Sequence, residues 1–177
     1  MARIILVYGL VSGLIIIAGI IGTVLIGGGQ PHGNVWLGYL IMLLGMVAVF
    51  MGVKQHRDHN RGGVIKFLPA LGVGLAIALC ASLAYVLVWE AYLAATDYVF
   101  MDQYIAATLE ARRAEGMPAD AYAKLEGQMR QMAEAYESPL LRLPMTFAEI
   151  FPVGLLVSIV SAILLRNSRF LPARARA

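Results

Sequence analysis

Charge is scarce in this sequence. Asp, Glu, Lys and Arg make up 14% of its 177 residues, whereas 60% are hydrophobic. A soluble domain carries about 25% charged residues and roughly 45–50% apolar ones, so an ordinary water-soluble globule is excluded. Cysteine occurs once, as Cys80, and a lone thiol forms neither an internal disulfide nor a thiolate metal site. There is no Gly-rich phosphate loop, no nucleophile elbow and no His-Glu-x-x-His zinc motif. No catalytic, cofactor-binding or metal residue can therefore be assigned, and no cofactor is expected. A basic recognition helix and an aromatic–basic platform are also missing, which removes nucleic acid from the expected partners.

What is present comes in blocks. Four apolar runs cover residues 4–26, 35–53, 67–88 and about 145–165. Each approaches the ~20 residues that a helix needs to cross ~30 Å of hydrocarbon. The first is too long for the ~7–15-residue core of a signal peptide, and Gly27-Gly28-Gly29-Gln30-Pro31 after it reads as a turn. Trp36 and Tyr39 open the second run, while Tyr85, Trp89 and Tyr92 mark the far edge of the third. Such rings favour the membrane–water boundary. The expected fold is one all-α membrane domain of four transmembrane helices over residues 1–177.

Between the third and fourth runs, from Glu90 to Arg142, the composition changes, and a helical insertion is expected over 97–137. Charges alternate, yet apolar residues persist at helical spacing: Tyr98, Met101, Ile105 and Thr108 or Leu109, then Tyr122, Leu125, Met129, Met132 and Tyr136. Each set forms one stripe on a helix. Gly116-Met117-Pro118 separates them and Ser138-Pro139 ends the second, predicting a helical hairpin. The methionines give its facing stripes the character of either an adaptable binding surface or, as preferred here, the hairpin's own core. Thr146-Phe147-Ala148-Glu149 reads as a capping box opening the fourth span, with Glu149 reaching back to the chain entry.

The charges predict an orientation. Nine basic residues (Arg3, Lys54, Arg57, Arg61, Lys66, Arg166, Arg169, Arg174 and Arg176) share their side of the predicted bilayer with a single acid, Asp58. The other five basic residues lie among ten acids between Glu90 and Glu149. Basic loops stay cytoplasmic, so both termini are expected inside and the hairpin outside.

Three stretches resemble a bacterial family of small membrane proteins, the domain-of-unknown-function 4199 family. They are Leu37-Gly38-Tyr39-Leu40-Ile41-Met42 running through Gly52-Val53-Lys54 to Arg57-Asp58; Gly62-Gly63-Val64-Ile65-Lys66-Phe67; and Met145-Thr146-Phe147-Ala148-Glu149-Ile150-Phe151-Pro152-Val153-Gly154-Leu155-Leu156. The sequence departs from the expected pattern at His56, where an aromatic residue would precede Arg57. The resemblance implies a multi-pass protein of a bacterial inner membrane. It implies no activity, and it carries over no functional residue.

Several residues nevertheless invite a chemical reading. His56 and His59 are three apart, but Lys54, Arg57 and Arg61 around them repel a cation, so a solvated basic loop is expected. Glu90 and Glu149 fall near one membrane level and are the candidate functional acids, since ionisable groups within a membrane are functional by default. Gly9-x-x-x-Gly13, with Gly19 and Gly22, offers either a homo-oligomer seam or packing within the chain. On the hairpin, Glu110, Arg113, Arg130 and Glu134 form the candidate surface for a protein partner. Three function classes follow: a non-enzymatic interaction or assembly protein using the hairpin; a small oligomeric transporter or channel; and a membrane-bound enzyme using Glu90, Glu149 and Arg142. The absence of charge near the middle of any span argues against the second, and the absence of catalytic motifs against the third.

Overall fold

A computed structural model describes residues 1–26 and 35–173. The turn expected over 27–31, and Arg174 and Arg176, lie outside the described residues. Every regular element among them is helical: α1 (Ala2–Ile26), α2 (Val35–Gln55) continued by a π-helical turn (His56–Asn60), α3 (Phe67–Ala95), α4 (Phe100–Ala114), α5 (Ala119–Glu137) and α6 (Pro139–Leu165). Four of them, α1, α2 with its π turn, α3 and α6, are long and apolar enough to cross a membrane.

The long helices form a bundle in which successive spans alternate in direction, so that α1 runs parallel to α3. Helix α3 packs against α1 and α6, and α2 closes the other side against α1, α6 and α3. Between helices in lipid there is little hydrophobic drive, so close approach of small residues has to hold them. A Cβ built on Gly13 would lie 2.8 Å from the Ala81 carbonyl oxygen, and one on Gly9 would lie 2.6 Å from Cys80. The Gly9–Gly13 seam is thus filled by the chain's own α3. The α3–α6 seam repeats the device, with Gly74 against Ser158 and Gly154 against Ala78. Ile16, Met46, Val49, Ile77 and Ile150 fill the space between. Ser82, Ser158 and Ser161 each donate to a carbonyl four residues earlier on their own helix, so none of these three hydroxyls is left over. Leu14, Leu44, Leu83 and Leu156 face outward, as a lipid-contacting exterior requires.

The helices overrun the apolar blocks, and at α6 this overturns an expectation. The Thr146–Glu149 capping box does not exist. Helix α6 starts at Pro139, with Ser138 in an extended conformation before it, so Thr146 and Glu149 are interior residues. A proline at the first helical position has its φ already set and lacks a donor that would be orphaned there anyway.

The hairpin is α4 packed on α5, turning at Gly116 with φ of 76°. Its stripes do face each other, but Leu125, Met129, Met132 and Tyr136 are only half-buried, and neither helix has a fully buried residue. Two helices alone cannot enclose a core. Tyr98 is not on the α4 stripe: it sits in the preceding turn at φ 57°, next to Asp97 at φ 53°.

Candidate functional site

The expected acids do not form one site. Instead, Glu90 near the end of α3 meets Arg142 in the first turn of α6, 52 residues away. The Arg142 Nε donates to Glu90 Oε2 at 2.9 Å, and its second arm donates to Oε1. The remaining guanidinium nitrogen donates to the main-chain oxygens of Tyr136 at 2.7 Å and Glu137 at 3.3 Å. Only 3% of Arg142 is exposed. A fork of fixed donors suits this task, because one planar cation can grip a carboxylate and the last carbonyls of α5 together. Helices α3, α5 and α6 are therefore tied at one atom group.

Aromatic rings complete the knot. The Arg142 guanidinium lies 4.8 Å from the Tyr98 ring centre and 5.7 Å from that of Tyr136. The Tyr98 hydroxyl donates to Glu90 at 3.2 Å. The left-handed backbone at Asp97 and Tyr98 costs roughly 1–2 kcal/mol per residue, and it is what swings Tyr98 back over α3. The Trp89 indole N–H donates to the Tyr136 hydroxyl at 2.8 Å, while the ring stacks on Tyr92 and meets Phe100 edge-on. Burial pushes the Tyr136 phenol above its ordinary pKa.

Beside the knot, a cavity of about 410 Å³ is lined by Asp97, Tyr98, Met101, Asp102, Tyr136, Glu137 and Arg142, among others. Asp97, Asp102 and Glu137 are exposed, and their carboxylates make no hydrogen bond or ion pair among the described residues. With the guanidinium already committed to Glu90, the cavity's electrostatics disfavour anions. No group of three or more His, Cys, Asp or Glu could hold a metal among the described residues.

Glu149 is exposed on α6 and makes no hydrogen bond or ion pair with this knot, although its carboxyl is near enough to act electrostatically on Tyr136. Glu110, Arg113, Arg130 and Glu134 are all exposed on the hairpin, and Arg130 makes only a loose pair with Glu126 at 3.7 Å.

The opposite end of the bundle corrects another expectation. The basic loop is not simply solvated: Arg57 is fully buried and His56 is 4% exposed. Arg57 Nε donates to Asp58 at 2.6 Å, and its other nitrogens donate to the main-chain oxygens of Phe170 (2.9 Å) and Leu171. Lys54 also pairs with Asp58. His59 is exposed, and the buried His56 has no hydrogen-bond partner at Nδ1 among the described residues. The signal in the sequence was Asp58 itself, the one acid among the basic residues of that end, together with the apolar Phe170-Leu171 in the tail.

A family model described as "Protein of unknown function (DUF4199)" matches residues 7–167. No curated protein and no solved structure matches the chain.

Proposed function

The chain belongs to the DUF4199 family of proteins of unknown function, and from that premise we propose that it is a non-enzymatic interaction or assembly protein of a bacterial inner membrane. In this reading both termini are cytoplasmic, and the α4–α5 hairpin stands outside as the contact surface for another protein. The bias of nine basic residues towards the end that holds the termini supports the orientation.

The observation that carries the reading is the Arg142 clamp. It commits Glu90, the acid a membrane enzyme would need, to a structural ion pair. The same clamp grips the end of α5, so the hairpin is held at a fixed attitude to the spans. A surface held rigidly loses less freedom on binding, which favours affinity. Meanwhile Glu110, Arg113, Arg130 and Glu134 remain exposed with little internal use.

Two experiments test this. Cysteines placed at Ala119 should react with a membrane-impermeant reagent in intact cells while those at Gln55 do not, and the reverse pattern removes the orientation. A photo-crosslinking residue at Glu134 should capture a discrete protein in cells, and Arg113→Glu with Arg130→Glu should abolish capture in a normally folded protein. If deleting 98–137 behind a short linker leaves the cellular phenotype intact, the hairpin is a connector and the function lies in the spans.

A further inference from the structure

Counting ~20 residues back from Leu165, where α6 ends, puts the far edge of the hydrocarbon near Thr146. Glu149 is inside that edge. It is exposed on the outside of the bundle, and no hydrogen bond or ion pair satisfies it among the described residues. Of the titratable groups, the rings of Tyr85 on α3 and Tyr136 on α5 interact with it electrostatically, and neither supplies a cation. Pro152 three residues on has no N–H to give the Ala148 carbonyl, its usual helical acceptor. A second acceptor is thereby left on the same outward side, since Ala148 and Pro152 are themselves exposed. An acceptor-rich patch facing hydrocarbon is costly unless something covers it.

The patch lies on a seam. Met145, Glu149, Pro152, Leu156, Val160 and Ile163 follow one another at steps of three or four and are all exposed, the spacing with which two helices interlock. We propose that a second copy of this chain covers that seam, pairing α6 with α6 about an axis normal to the membrane. Copies inserted the same way bring Glu149 to Glu149 at equal depth. As a neutral carboxylic acid, each side chain has one donor and one acceptor, so the two acids satisfy one another or the freed Ala148 carbonyls. An isologous interface requires that kind of self-complementarity, and no other occupant is guaranteed to bring a donor to this depth. Gly9 and Gly13 of α1 do not compete for the role, because α3 already fills them. The interface uses no charged residue of the hairpin and stands or falls apart from the partner surface proposed above.

The test is oxidative cross-linking of the full chain in liposomes, with Cys80→Ala as background. Met145→Cys should cross-link between copies, and Leu14→Cys, on the exposed face of α1, should not. Glu149→Gln, which keeps a donor and an acceptor, should retain the cross-link. Glu149→Leu should weaken association roughly tenfold, the worth of one or two interhelical hydrogen bonds in lipid. Retention by the Gln variant and loss in the Leu variant separates the hydrogen bond from misfolding. The proposal is overturned by a Met145→Cys chain that never cross-links at any protein-to-lipid ratio, by cross-links through Leu14→Cys alone, or by a Glu149→Leu chain that cross-links like its parent.

Discussion

Each end of the bundle is closed by a buried arginine, yet the two arginines do different work. Arg57 takes its carboxylate from the next residue, Asp58, and its carbonyls from Phe170 and Leu171 in the tail. Arg142 takes its carboxylate from Glu90 on another helix and its carbonyls from the end of α5. At the first end a local ion pair pins down a terminal segment. At the second, a long-range pair sets the angle between the span bundle and the hairpin. Asp58 also has Lys54 as a second partner, whereas Arg142 is the only cation paired with Glu90 among the described residues. The lesson is that equal burial does not mean equal consequence, because what matters is what each loss leaves unpaired.

The largest effect is therefore expected at the hairpin end. Arg142→Ala strips Glu90 of its cation and frees two main-chain acceptors. Breaking a buried pair from one side costs about 3–5 kcal/mol; Glu90 is 27% exposed, which puts the loss at the lower end of that range, and here it should also release the hairpin. The midpoint of thermal unfolding in detergent should fall and protease should cut within 98–137. Arg142→Lys should rescue little, since an ammonium cannot make the forked contact. The pair Arg142→Met with Glu90→Leu should recover most of the loss, because it removes both charges together. If Arg142→Ala melts like the parent, the clamp is decorative.

Arg57→Ala should cost less, about 1–3 kcal/mol, the range for leaving buried acceptors unmet. Asp58 keeps Lys54, so no carboxylate is abandoned. Hydrogen exchange should speed up over 166–173 and stay unchanged in the hairpin. A hairpin response would show that the two ends are coupled and dissolve the contrast. A smaller effect of opposite sign is expected beside it. His56→Phe replaces a buried ring whose Nδ1 lacks a partner among the described residues with an apolar one of similar size, and should raise stability by about 1 kcal/mol in the same unfolding assay.

The contrast also explains what could be read from the residues alone. The four spans and the break at Gly116–Pro118 follow from local rules, in which apolar blocks are long enough to span and Gly and Pro punctuate helices; those features survive in α1 to α6. The start of α6 did not follow, because Thr146 and Glu149 satisfy the capping pattern as well as Ser138-Pro139 satisfies another. A local motif cannot rank them. The Arg142–Glu90 contact favours the earlier start, and its partners are 52 residues apart. Burial of Arg57 was hidden for the same reason, since its partners at Phe170 and Leu171 are 113 and 114 residues away. Polar residues near a span end look solvated until the segment that covers them is known.

The smallest expected effect concerns a third arginine. Arg130 lies in the favoured order four residues after Glu126, but the pair is 3.7 Å apart and the two side chains are 74% and 48% exposed. Exposed pairs of this kind contribute about 0.3–0.5 kcal/mol at best, and salt screens them. Arg130→Ala should thus shift the unfolding midpoint hardly at all, and the shift should vanish at high ionic strength. Because the side chain does so little for the fold, its substitution isolates what the hairpin does for binding. If the hairpin is a docking surface, Arg130→Ala should reduce photo-capture from Glu134 in cells while the melting curve stays in place. If capture and stability fall together, Arg130 belongs with Arg57 and Arg142 as a structural cation, and the partner surface has to be sought elsewhere on the hairpin.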